Sequence, residues 1–174
     1  EIGTVDEDFE TGDFTKFNWG VSSSYPWTIS SPAYDGQYCM KSGNIADGQS
    51  SVMTLTLDVL VDDTISFYKK VSCEDDPWGE DYDYLEFLIN STSMGKWDGV
   101  INWSKEEFHV VAGTTTFKWI YKKDNMQSDG SDCAWIDNIV FPPIATPASI
   151  NDIDSRDLNF NIYPNPFKDK FTLS

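Results

Sequence analysis

Positive charge is scarce in this chain. Twelve Lys and Arg stand against 29 Asp and Glu in 174 residues, a net charge of −17. A field of that sign repels phosphate backbones and anionic membrane surfaces, and no basic patch or helix offsets it. The charge therefore disfavours nucleic acid and anionic bilayers as partners. Histidine is reduced to His109, in EEFHVV. A nucleophilic triad built on it would need a nucleophile elbow, and none is present, so it reads as an ordinary strand residue. Three cysteines leave at least one unpaired, lack metal-site spacing, and allow a single disulfide in an oxidising compartment. No apolar run approaches the roughly 18 residues of a membrane-spanning helix. Amphipathic helices and phosphate-cradling glycine loops are missing too. There is no signal peptide, and Glu1 in place of Met reads as an internal start within a longer precursor.

What fills the chain is alternation with a period of two. SVMTLTLDV, DTISFYKKVS, YDYLEFLIN, TTFKWIYKKD and AWIDNIVF each send apolar side chains to one face, as half-buried strands do. Ile65 and Phe67 oppose Ser66, Tyr68 and Lys70; Leu85, Phe87 and Ile89 share a face, as do Phe117, Trp119 and Tyr121. Turn clusters such as SPAYDGQ, SGNIADGQS and STSMGKWDG separate them. Short strands with turns every ten or so residues indicate an all-β, antiparallel, jelly-roll-like sandwich. An aromatic content of 15% suits a core built from rings, and Trp19, Trp27, Trp119 and Trp135 are assigned to that core or its rim. The sandwich is expected over 1–143. Residues 144–161 read as a linker, and 162–174 as the start of a further strand-bearing unit.

Four groups of residues carry candidate chemistry. Asp137 falls by alternation on the face of Trp135, Ile139 and Phe141, where a carboxylate needs a partner: a metal ion, a lysine, or the amides of a turn that it caps. Asp8 and Glu10, two apart, share a face opposite Phe9, and Asp35 sits in the turn YDGQ. The loop CEDDPWGEDYDYLEF packs seven carboxylates around Trp78, Tyr82 and Tyr84 without a basic residue. It can be a second metal loop, a solvated corner or a platform for sugar; a catalytic carboxylate pair would need its two groups held about 5 or about 9 Å apart, which nothing here specifies. Trp97 and Trp103 lie in another polar stretch, so Trp78, Tyr82, Trp97 and Trp103 are the candidate sugar-stacking rings. Cys73 follows one strand and Cys133 precedes another; if those ends meet, the two can form a disulfide, while Cys39 reads as a small buried hydrophobe.

Two segments resemble known families. IYPNPFKDKFTLS looks like the opening of the C-terminal sorting domain read by type IX secretion in certain Gram-negative bacteria. DFETGDF, PWTIS, YDYLEFLI, FKWIYKKD and CAWIDNIVFP resemble the cleaved-adhesin and MAM-like jelly-roll modules, among them the gingipain adhesin domains. The resemblance covers roughly residues 5 to 143. It implies a structural calcium between the first and last strands, with Asp8, Glu10, Asp35 and Asp137 as ligands. It also implies a secreted or cell-surface bacterial module, monomeric, appended to a catalytic domain or adhesin in the same precursor. Such modules are non-catalytic and bind glycans or proteins, or serve as spacers. A polysaccharide ligand is the expectation, with a protein-binding adhesin or a spacer as the alternatives.

Overall fold

The computed structural model describes residues 5–21, 24–75, 77–80 and 82–145. Eleven strands occur in these segments: β1 (Val5–Glu7), β2 (Gly20–Val21), β3 (Thr28–Ser30), β4 (Cys39–Lys41), β5 (Ser50–Val59), β6 (Asp63–Ser72), β7 (Tyr84–Ile89), β8 (Thr92–Trp97), β9 (Val100–Val110), β10 (Gly113–Lys122) and β11 (Cys133–Phe141). They form two antiparallel sheets. One runs β3-β4-β11-β6-β9, with β1 also paired to β11; the other runs β2-β5-β10-β7-β8. The architecture is the all-β sandwich expected from the alternation, and the described residues contain no helix long and apolar enough to cross a membrane.

The core forms where the apolar faces of the two sheets meet. Met53 and Leu55 of β5, Leu85 and Phe87 of β7, and Phe117, Trp119 and Tyr121 of β10 face Ile65, Phe67 and Val71 of β6. Rings interlock at its centre. Phe87 lies 5.0 Å from Trp119 and 4.8 Å from Phe67, centroid to centroid, within the range of favourable aromatic pairs. Trp27 and Trp119 are buried as expected, and Trp19 packs against the core from its margin.

The alternation of β11 breaks once, and this corrects the sequence reading of Asp137. The β11–β6 register shifts between Asp137 and Val140, and Asn138 adopts a positive φ of 48°. Such a bulge inserts one residue and exchanges the faces that follow it. Ala134 and Ile136 therefore point into the core before it, and Ile139 and Phe141 after it. Asp137 does share a face with Trp135, but that face is the outer one.

At the far end of the described chain, Ile144 still belongs to the sandwich. It bridges Val59, and the Ala145 amide donates to the Asp58 carbonyl at 2.8 Å. The body thus extends just past the boundary expected at 143. The expected remainder of the linker, and the sorting segment at 162–174, lie outside the described residues.

Candidate functional site

β1 pairs with β11 through Val5–Phe141, Asp6–Val140 and Glu7–Ile139, so the first and last strands are neighbours. This register delivers the acidic residues after β1 to the bulge of β11. Between them lies the turn of residues 34–38, whose five successive backbone amides all donate to carboxylates. Asp137 Oδ2 accepts from Tyr34 and Asp35 at 2.8 and 3.1 Å. Asp35 Oδ1 accepts from Gly36 at 3.0 Å. Glu10 Oε1 accepts from Gln37 and Tyr38, both at 2.8 Å. Asp137 Oδ1 takes the Asn138 amide at 2.7 Å. Gly36 is required here: its φ is +69°, and a Cβ on it would come within 2.5 Å of the Glu10 carboxyl.

Around this turn is a cavity of about 270 Å³ lined by Asp6, Asp8, Glu10, Asp35, Gly36, Asp137 and Asn138. The four sequence-nominated carboxylates are thus brought together, and Asp6 joins them. Lys16 meets Asp6 at 3.3 Å, which offsets one charge only. Asp137 is 1% exposed, and burial pushes its pKa up against the pull of the Asp35, Tyr34 and Asn138 amides. Asp8, Glu10 and Asp35 each keep a second oxygen without a hydrogen bond to described residues. The set is oxygen-only and sits on a turn already held in place, which suits a hard divalent cation such as calcium. No three of these carboxylates bring oxygens within 4.8 Å of one another, so their side chains would have to close on the ion. Glu7, one residue earlier, faces inward and is fully buried; its pKa is raised by burial, tempered by the Phe9 amide at 3.0 Å. Its alternation with Val5 and Phe9 was the sequence signal for an inward carboxylate.

The same turn builds a second feature, on the outer face of the β3-β4-β11-β6-β9 sheet. The Tyr34 ring stacks on Tyr68 of β6 at 3.5 Å and 12°. Trp103 of β9 stands 6.2 Å from Tyr34 at 64°, so the two rings make an open corner. Tyr34 remains 42% exposed. Trp103 was nominated from sequence, but its partners were not. Tyr68 could have been suspected, since alternation turns it away from Phe67; the position of Tyr34 depends on the Asp137 and Glu10 contacts.

The other nominated rings separate. Trp78 is 80% exposed in the acidic loop, and there the Tyr82 hydroxyl donates to Glu80 at 3.0 Å. Trp97 is a correction. It packs against the core, 6.4 Å from Phe67 and perpendicular to it, with the Lys69 ammonium 4.9 Å over its ring. Lys69 itself is 2% exposed on the inner face, paired to Glu106 at 2.8 Å and bonded to Ser104 at 2.8 Å. Polar neighbours in sequence made Trp97 look like a surface ring; cross-sheet packing took it inward.

The acidic loop also divides. Asp83 is fully buried, accepts the Asp124 amide at 3.0 Å and lies 3.7 Å from the Lys123 ammonium. Burial pushes its pKa up to about 6, against the pull of Asp124 and Lys123. Lys123 is a buried hub that also meets Asp132 at 2.6 Å and Asp47 at 3.4 Å. Oxygens of Glu74, Asp83 and Asp124 come within 4.8 Å of one another beside it. This part of the loop anchors structure, while Trp78 and Glu80 stay at the surface.

The expected Cys73–Cys133 disulfide is absent, and all three cysteines are buried thiols. The strand ends do meet, but the register pairs Cys133 with Ser72, one residue before Cys73. Neighbouring residues of a strand point to opposite sides. Cys73 instead turns its thiol to the Asp83 carbonyl at 3.2 Å, and burial pushes its pKa up to about 12.

No family model and no curated protein matches the chain. Solved structures do. The K3 cleaved adhesin domain of Lys-gingipain from Porphyromonas gingivalis superposes with a TM-score of 0.57 at 12% identity, covering 83% of this chain and 100% of that one. These domains share its fold. So does the CBM22-1 xylan-binding domain of Paenibacillus barcinonensis Xyn10C, with a TM-score of 0.50, 14% identity and coverages of 82% and 95%. The secreted serine protease VesC of Vibrio cholerae contains a region that superposes at 0.58 and 18% identity, matching 72% of this chain. This chain covers 24% of the length of VesC.

Proposed function

We propose that this chain is a non-catalytic carbohydrate-binding module of a larger secreted or cell-surface bacterial protein. The observation that carries the reading is the open corner of Tyr34 and Trp103, buttressed by Tyr68 on a sheet face. Flat rings meeting at an angle on a rigid strand surface suit the apolar faces of pyranoses, and the surrounding polar groups suit their hydroxyls. The fold shared with a xylan-binding domain and with gingipain adhesin domains supports a module of this kind. Trp78 and Tyr82, on a different loop, would add a peripheral contact. Attachment to a catalytic domain or adhesin in one precursor would then raise local concentration at the polymer. The tail resemblance supports export by type IX secretion.

Calcium belongs to the same proposal as a structural ion, held by Asp8, Glu10, Asp35 and Asp137. Its part would be to neutralise converging carboxylates; catalysis is not asked of it.

Affinity electrophoresis of the whole chain through gels containing plant or algal polysaccharides tests the glycan reading. Retardation should be modest, because stacking on a few rings leaves little free energy after ordering costs. Tyr34→Ala or Trp103→Ala should abolish it while the fold persists by circular dichroism. Free migration through every polymer of a broad panel would refute the reading and favour a protein ligand.

A further inference from the structure

Beside the ring corner the outer sheet face carries a strip of positive charge. Trp135 of β11 pairs with Lys41 of β4 on one side and with Lys70 of β6 on the other. Both ammonium groups lean onto its ring, at 5.7 and 4.8 Å from the centroid. Beyond Lys70, the β6–β9 register passes from Lys69–Ser104 to Val71–Ile101, so Asn102 and Trp103 bulge opposite Lys70. Lysine and ring therefore alternate across four strands, in the order Lys41, Trp135, Lys70, Trp103. Three strand spacings of about 4.8 Å make the strip about 14 Å long, enough for a short oligosaccharide.

The charge on this strip is unmatched. Lys16, Lys69, Lys105 and Lys123 each sit against a carboxylate. Lys41 and Lys70 make no ion pair among the described residues, although acids outnumber bases by 29 to 12. In such a chain an unpaired cation on a folded face has many carboxylates available as partners and is held instead against an indole. The net charge of −17 disfavours a polyanion at long range. At physiological ionic strength that repulsion is screened beyond about 8 Å, so contact is governed by the strip and by the carboxylates nearest to it. These are Asp137, on the same face of β11, and Asp35 beside Tyr34, which a bound calcium would neutralise.

We propose that this face selects acidic polysaccharides, whose pyranoses bear carboxylate or sulfate groups. The sugar ring stacks in the corner of Tyr34 and Trp103, and its anionic group meets Lys70; Lys41 serves a neighbouring unit of the polymer. The inference rests on the glycan-binding reading and names the substrate class for the same corner.

The test is affinity electrophoresis of the whole chain at fixed free calcium in polygalacturonate, a sulfated galactan, neutral galactan and xylan. Retardation by at least one acidic polymer should exceed that by the neutral ones by about tenfold in apparent Kd, and should weaken with added NaCl. The two acidic arms distinguish carboxylate from sulfate. The double variant Lys41→Gln/Lys70→Gln should lose the preference with an unchanged melting temperature, and Lys41→Arg/Lys70→Arg should keep it. Equal retardation by neutral and acidic polymers would overturn the proposal, as would a preference that survives the glutamine variant. Retardation by neutral polymers alone, lost in Tyr34→Ala and indifferent to the lysines, overturns this proposal and leaves the glycan reading standing. Free migration in all four gels overturns this proposal, and the broad panel then decides the glycan reading.

Discussion

Single carboxylates hold the unusual parts of this molecule, and their removal should show it. Asp137 accepts three backbone amides at a site that is 1% exposed. Asp137→Ala strands those donors and should cost about 3 kcal/mol in urea unfolding, on the scale of one or two buried unsatisfied groups. Asp137→Asn keeps one oxygen acceptor and should cost less; a variant as stable as the parent would show that the turn is held elsewhere. Asp83 makes a prediction in pH. Its folded pKa is raised to about 6, above the unfolded value, so the folded state binds the proton more tightly. That contribution to stability is present below about pH 4 and is lost as pH rises through about 6. Asp83→Asn should therefore flatten the fall in melting temperature over this window, measured in chelator. An unchanged slope would mean that Asp83 does not titrate there.

At the scale of elements, the turn of residues 34–38 joins the acidic cavity to the aromatic corner. Asp137 and Glu10 hold its two ends, and Tyr34 at its start lies on Tyr68. Calcium that prefers the folded cavity should raise the melting temperature, by about 2.7 kcal/mol of stability at a hundredfold excess over its Kd. EDTA should reverse the shift, and Glu10→Gln should shrink it. A melt indifferent to calcium and EDTA would remove calcium from the proposal. Gly36→Ala should destabilise the turn by roughly 1–2 kcal/mol, because its positive φ is costly for any L side chain. It also drives a methyl into the Glu10 carboxyl. If the ring corner depends on the turn, this variant should lose polysaccharide retardation before it loses its overall fold by circular dichroism.

Across the whole molecule, an excess of 17 negative charges opposes compaction. Added NaCl should raise the melting temperature by screening that repulsion, provided it is measured without polysaccharide. A falling melt would mean that paired charges such as Lys123 with Asp132 and Lys69 with Glu106 outweigh the net field.

The sandwich itself was legible in the sequence because alternation is a local property. Each strand shows its core face in five or six residues, and Phe117, Trp119 and Tyr121 or Leu85 and Phe87 needed no knowledge of their partners. The meeting of Asp8, Glu10, Asp35 and Asp137 followed from a resemblance, and pairing of β1 with β11 produces it. Sequence could not show the bulge at Asn138, which turns Asp137 outward, because a register shift depends on both strands. Nor could it show that Trp97 packs inward under Lys69, or that Cys133 faces Ser72 in place of Cys73. The corner of Tyr34 and Trp103, and the strip of Lys41 and Lys70 about Trp135, join residues from one turn and four strands. Periodicity reports which side of its own strand a residue occupies, whereas strand order and register decide which residues of other strands stand beside it.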